Sequence, residues 1–120
     1  MKPEEINVAI AEACGWKRGV TFESSFVSPS KDIARDCWYG PDGKIPQRKI
    51  PNYYGDLNAI HEAESQLTGA QCLEFEKHLN AVTGYFKHIT HFVLIHATAP
   101  QRCEAFLKAL GKWVETKGED

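Results

Sequence analysis

Apolar residues along this chain recur at helical spacing in four places, and in strand-like rhythm between the first and second of them. Ile6, Ala9, Ile10 and Ala13 make one stripe over Lys2–Cys14, opened by Pro3, with Glu4 and Glu5 at the positive end of the helix dipole and Gly15 as its stop. Asp56 caps a second helix with Leu57, Ile60, Ala63 and Leu67 inward. Thr68 and Gln71 have capping-box spacing, and Cys72, Phe75, Leu79 and Val82 follow on one face of a third helix that Gly84 stops. The fourth stripe, Cys103, Phe106, Leu107, Leu110 and Val114, follows a second box formed by Thr98 and Gln101 with Pro100 in the first turn. Gly111 suits the left-handed position after that helix, and Trp113 is expected to fold back on it, as Trp16 follows Gly15. Phe92–Ile95, a short continuous apolar run, predicts a strand buried on both faces, with Tyr85–Thr90 as a loop or the ragged start of that strand.

The strand-like stretch lies in residues 17–52. Val20, Phe22 and Phe26 alternate with Thr21 and Glu23, which predicts a strand near 18–27 that Ser28, Pro29, Ser30 and Lys31 break. Trp38 and Tyr39 predict a second short strand, Gly40-Pro41-Asp42-Gly43 a turn, and Ile45–Ile50 a return strand limited by Pro46 and Pro51. Together these make an antiparallel meander beside helices, so the class is α+β.

Length and composition narrow the reading. A chain of 120 residues with 42% hydrophobic content makes one domain with a small core. A net charge of −2 disfavours duplex nucleic acid as a partner. No apolar stretch approaches membrane-spanning length, so no membrane partner is expected. The N-terminus pairs acids with helical spacing rather than a basic block with an apolar one, so the expected location is cytoplasmic. Cys14, Cys37, Cys72 and Cys103 lie far apart, three of them on helical apolar faces, and read as small hydrophobes. Residues 17–50 concentrate Lys17, Arg18, Lys31, Arg35, Lys44, Arg48 and Lys49 against Glu23, Asp32, Asp36 and Asp42. That excess suits a solvated loop face or an anion-attracting rim.

Three groups of residues have chemistry to weigh. Thr98, Gln101 and Arg102 combine free backbone amides, a hydroxyl, a positive dipole end and a guanidinium, the ingredients of a phosphate or carboxylate site; capping alone is the plainer use. No Gly-rich phosphate loop accompanies them, which argues against a nucleoside triphosphatase. Asn58, His61 and Glu62 share a polar face of the second helix, where contact with a ligand or a solvated surface are both open. Trp38, Tyr39, Tyr53 and Tyr54 flank the basic middle, and Trp38, Tyr39, Tyr53 and Arg48 are candidates for a rim that stacks a base and holds a phosphate; packing is the alternative. His78, His88, His91 and His96 lack metal-ligand spacing, since His91 and His96 would face opposite sides of a strand. No metal, cofactor or catalytic set is expected.

Four blocks of the chain resemble the phage ABA-sandwich family, in family order. They are Glu5-Ile6 with Ala9 to Trp16, Pro51-Asn52-Tyr53 with Asp56 to Glu64, Ala97-Thr98-Ala99 with Gln101-Arg102 and Glu104 to Leu107, and Leu110-Gly111-Lys112-Trp113. The resemblance implies a small α/β/α layered sandwich over 1–120, its antiparallel or mixed sheet covered by about four helices, encoded by a phage or prophage and located in the cytoplasm of the infected bacterial host. It brings no general activity, and residues 17–54 form the variable β/loop segment. The expectation is a phage accessory protein that binds rather than catalyses: an anti-defence protein, by analogy homo-oligomeric, sequestering an anionic (cyclic) nucleotide signal. One alternative is a protein–protein inhibitor or adaptor that docks on a host enzyme through 17–54, with a host defence protein as the partner. Another is a small nucleotide hydrolase using His61 and Glu62.

Overall fold

The computed structural model describes residues 1–24, 32–44, 46–83 and 97–115. Among them run helix α1 (Pro3–Ala13), strands β1 (Lys17–Ser24), β2 (Asp32–Tyr39) and β3 (Pro46–Gln47), and helices α2 (Leu57–Glu64), α3 (Gly69–Val82) and α4 (Ala99–Ala109). The sheet is antiparallel in the order β1-β2-β3, and the class is α+β. The strand expected at Phe92–Ile95, the loop Tyr85–Thr90, the stop at Gly84, the break at Ser28–Lys31, Phe26, Ile45, and His88, His91 and His96 lie outside the described residues. The chain divides into two compact units, one of Met1–Ile10 with Pro51–Asp120 and one of Ala11–Ile50.

In the first unit, helix ends form where the capping residues require them. Thr98 accepts from the Gln101 amide at 3.3 Å while the Gln101 side chain accepts from the Thr98 amide at 2.9 Å. Thr68 and Gln71 repeat the same two bonds, and Asp56 accepts from the Asn58 amide at 2.9 Å. Beyond α4, Gly111 adopts φ +71°, and the Lys112 amide donates to the Leu107 carbonyl at 2.8 Å, which closes a Schellman turn. Trp113 then lies with the Lys108 ammonium 5.9 Å from its ring centroid, back against the helix as expected.

Helix α4 packs chiefly against α3 and also against α2. Its Cys103, Phe106 and Leu107 join Ile60 of α2 and Leu79 of α3 among the fully buried side chains of this unit. Each large apolar side chain so buried stabilises the fold by about 1.5–3 kcal/mol. Asn7 ties the chain after the sheet to α1: its carbonyl oxygen accepts from the Tyr54 amide at 2.8 Å, and its amide donates to Asn52 at 3.0 Å.

Several expected inward positions face out. Leu57 is 44% exposed at the first position of a two-turn helix whose buried step is Ile60–Ala63. Cys72 is exposed in the first turn of α3, where the buried residue is Leu79, about two turns closer to the C-terminal end. Val114 is 63% exposed because α4 ends at Ala109, after which helical spacing no longer sets side-chain direction. In α1 the buried row is Ile6, Ile10, Ala11 and Cys14, with Ala9 and Ala13 half-buried beside it.

The second unit holds the meander. Gly15 takes φ +97° after α1, and the Trp16 amide donates to the Ala11 carbonyl at 2.9 Å, the same ending as α4. Strand β2 is longer than the Trp38-Tyr39 pair predicts: it starts at Asp32, because ladder bonds to β1 satisfy the backbone of a segment whose apolar pattern is interrupted by Asp32, Arg35 and Asp36. The Gly40–Gly43 turn closes with the Gly43 amide donating to the Gly40 carbonyl at 2.9 Å, and Asp42 accepts from the Lys44 amide at 3.2 Å. The return strand shrinks to Pro46–Gln47, with proline at its first position on the sheet edge.

Register assigns the two faces, since directly opposed residues share one. Gly19 opposes Cys37, and Lys17 opposes Tyr39. Arg18 opposes Trp38, Val20 opposes Asp36, and Gln47 opposes Trp38 from the other side. The buried face is that of Gly19 and Cys37; a Cβ on Gly19 would stand 2.8 Å from Cδ2 of Tyr39, so the missing side chain is what lets the tyrosine ring lie there. Val20, which alternation predicts inward, is 49% exposed on the opposite face. The count along β1 alone misassigns it because the inward position beside it is a glycine and carries no hydrophobic signal.

Candidate functional site

The three anion candidates on α4 are brought together in sequence but engaged separately. Thr98 and Gln101 satisfy each other through the capping box. Arg102, one turn on, turns inward: it is 7% exposed, and its Nη1 donates to Oε1 of Glu64 on α2 at 2.8 Å. This pair joins α2 to α4 inside the first unit, so the guanidinium faces a carboxylate rather than solvent. Gln101 also borders a depression of about 200 Å³ together with Ile6, Tyr54, Val82, Pro100 and Trp113.

The polar face of α2 resolves in the same direction. His61 is half-exposed with Nδ1 3.8 Å from Oε2 of Glu64, so its neighbour is Glu64 rather than Glu62. Asn58 is exposed, and its backbone amide serves the Asp56 cap. Burial raises the Glu64 carboxyl above its ordinary range against the opposing pull of Arg102 and His61. Burial, then the charge of Glu64, pushes the Cys103 thiol up to about 12. Cys103 Sγ donates to the Tyr53 carbonyl at 3.2 Å, and Tyr53 is buried. Tyr53 is thus an anchor of the core rather than a stacking rim.

Of the aromatic and basic candidates, the sheet unites Trp38 with Arg48 and separates Tyr39 from both. Tyr39 lies on the Cys37 face, where desolvation and then the Cys37 thiol raise its phenol. Trp38 lies on the exposed face, and Cζ of Arg18 sits 4.9 Å from its ring centroid. Arg18, Asp36, Trp38 and Arg48 border one open depression of about 210 Å³. Strand register builds this group: β1 places Arg18 across from Trp38, Asp36 is two residues before Trp38 on the same face, and Arg48 follows the Gln47 that pairs with Trp38. The sequence marks Arg48 and Trp38 but not Arg18 or Asp36 as neighbours. The signal for those two was the matching period-two rhythm of Arg18-x-Val20 and Asp36-x-Trp38, which has meaning only once the strands are paired.

A guanidinium over an indole is held by the ring quadrupole and by flat stacking. With a second arginine beside it, the surface offers a planar platform and positive charge, the two features that a base with its phosphate would meet. Among the described residues, no group of three His, Cys, Asp or Glu side chains converges to hold a metal ion, and no helix is long and apolar enough to cross a membrane. No family model matches the chain, and no curated protein or solved structure is found to match it.

Proposed function

We propose that the protein acts by binding an anionic, nucleotide-like ligand, and that the exposed sheet face at Trp38 takes that ligand in place of the helix start at Thr98. The observation that carries the reading is the Arg18–Trp38 stack at 4.9 Å beside Arg48. Bases stack on aromatic rings and on guanidinium planes, at about 1–3 kcal/mol per base, without needing a particular sequence. Joined to the resemblance to phage ABA-sandwich proteins, this makes the proposed role that of a phage or prophage accessory protein sequestering a cyclic nucleotide signal of host defence. The Thr98 and Gln101 amides are engaged within their own capping box and Arg102 is paired with Glu64, so this helix start supports the same role less well than the Trp38 face.

A second reading, docking on a host protein, draws on the half-exposed Val20 beside Trp38 on this face. Calorimetry with cyclic mono-, di- and trinucleotides separates the two. The ligand reading expects saturable heat with at least one of them and its loss in Trp38→Ala and Arg18→Ala. Absence of heat with every probe, with a protein partner captured by the native chain and lost in Trp38→Ala, would transfer the face to the second reading.

A further inference from the structure

Strand register places an acidic side chain beside the stacking platform. Asp36 stands two residues before Trp38 on β2, on the same face, and is exposed. With a rise of about 3.4 Å per residue, the two positions are about 6.8 Å apart. That separation suits the reach from the middle of a purine stacked on the ring to an acceptor hydrogen-bonded at its edge. Asp36, Trp38 and Arg18 border the same depression, and Val20, across from Asp36 and 49% exposed, adds apolar surface beside the carboxylate. Among the described residues, no hydrogen bond or ion pair engages the Asp36 carboxylate.

An ionised carboxylate presents two acceptor oxygens and no donor, so it fits a base edge that offers two donors side by side. Guanine has that edge, in its N1–H and its N2 amino group. Adenine and cytosine each set an amino group beside a ring-nitrogen acceptor, and uracil flanks its single N–H with carbonyl oxygens. Each of these would turn a lone pair toward the carboxylate, a repulsion that rejects the wrong base. We infer that the platform selects guanine nucleotides, with Asp36 as the specificity-determining residue that accepts from the guanine N1–H and N2 amino group. The inference rests on the proposed binding of a nucleotide-like ligand at this face. Stacking on Trp38 and the Arg18 plane tolerates every base, so the platform contributes affinity and the carboxylate contributes the choice of base. Gln47, exposed and opposite Trp38 on β3, does not compete for this role, because its amide presents both donor and acceptor and can meet any base. The preference arises at the base edge and does not depend on which cations meet the phosphate.

Cyclic GMP and cyclic AMP share a sugar and a phosphodiester and differ in the base, as do cyclic di-GMP and cyclic di-AMP. Isothermal titration of the native chain is expected to favour the guanine member of a pair by at least about fivefold. Cyclic IMP, which lacks the N2 amino group, should fall between cyclic GMP and cyclic AMP. Asp36→Ala should bring the two members of a pair within about twofold while binding of the adenine member persists. Asp36→Asn, whose amide can meet adenine as readily as guanine, should do the same. If Trp38→Ala abolishes binding but the native chain holds both bases alike, or the Asp36 variants keep the native ratio, guanine selection is wrong and the binding site itself stands. If the native chain binds none of these nucleotides the preference falls, and if it also binds no cyclic trinucleotide the site falls with it. Trp38→Ala binding them as well as the native chain does would likewise remove both.

Discussion

Arg102 and Arg18 carry the same guanidinium, and the two units use it in opposite ways. Arg102 is 7% exposed and donates to a Glu64 carboxylate that is itself largely buried. Arg18 is exposed and lies over the face of Trp38. A cation removed from water needs a counter-charge of its own, since leaving it alone costs several kcal/mol. That requirement commits Arg102 to structure. An exposed arginine stacked on a half-buried ring has lost little hydration and can exchange its contact for another flat, electron-rich partner. Proximity of an arginine to a helix start is therefore weak ground for an anion site until its burial is known, and an arginine far from any motif can be the one left facing solvent.

Breaking the buried pair should show the largest effect. Arg102→Ala strands Glu64 and is expected to lower stability by about 3–5 kcal/mol in urea unfolding, with Arg102→Met and Glu64→Met together recovering most of it. A loss below about 0.5 kcal/mol would remove the contrast between the two arginines. The same carboxylate should be visible in pH dependence. Its folded pKa is raised, so the folded state holds the proton more tightly than the unfolded chain does. Its contribution to stability is then fully present below the ordinary carboxylate range and is lost as pH rises through the raised folded value. Glu64→Gln should flatten that part of the stability profile, and an unchanged slope would deny the shift. Thr98→Ala is expected to cost about 1 kcal/mol, as a cap would. Arg18→Ala sharpens the contrast from the other side, with stability within about 0.5 kcal/mol of the native chain and nucleotide binding lost. A larger destabilisation would make Arg18 a structural residue as well.

Much of the fold was legible because it is written locally. The caps at Asp56, Thr68 and Thr98 and the left-handed glycines at Gly15 and Gly111 are contacts across a few residues, and each occurs where its residue types place it. The turn at Gly40–Gly43 is of the same kind. Helical periodicity found Ile6, Ile10, Ile60, Leu79, Phe106 and Leu107, all buried. It misplaced Leu57 and Cys72 near helix starts and Val114 past a helix end, because a stripe extends on paper beyond the part of the helix that another element covers. The site was less legible. Trp38 and Arg48 could be noticed for what they are, whereas Arg18 and Asp36 matter only through pairing across strands.

The sequence by itself determined where the capped helices begin, the left-handed stops at Gly15 and Gly111, the α+β class and the central buried residues of the helices, since capping, glycine geometry and amphipathic spacing act within a turn or two of chain. Tertiary structure alone decided which arginine is hidden and which is offered. Glu64 and Arg102 are 38 residues apart, and Arg18 and Trp38 meet through strand register. Such long-range contacts set the desolvation of each charge, and desolvation separates a cation that holds the fold together from one that remains open to solvent.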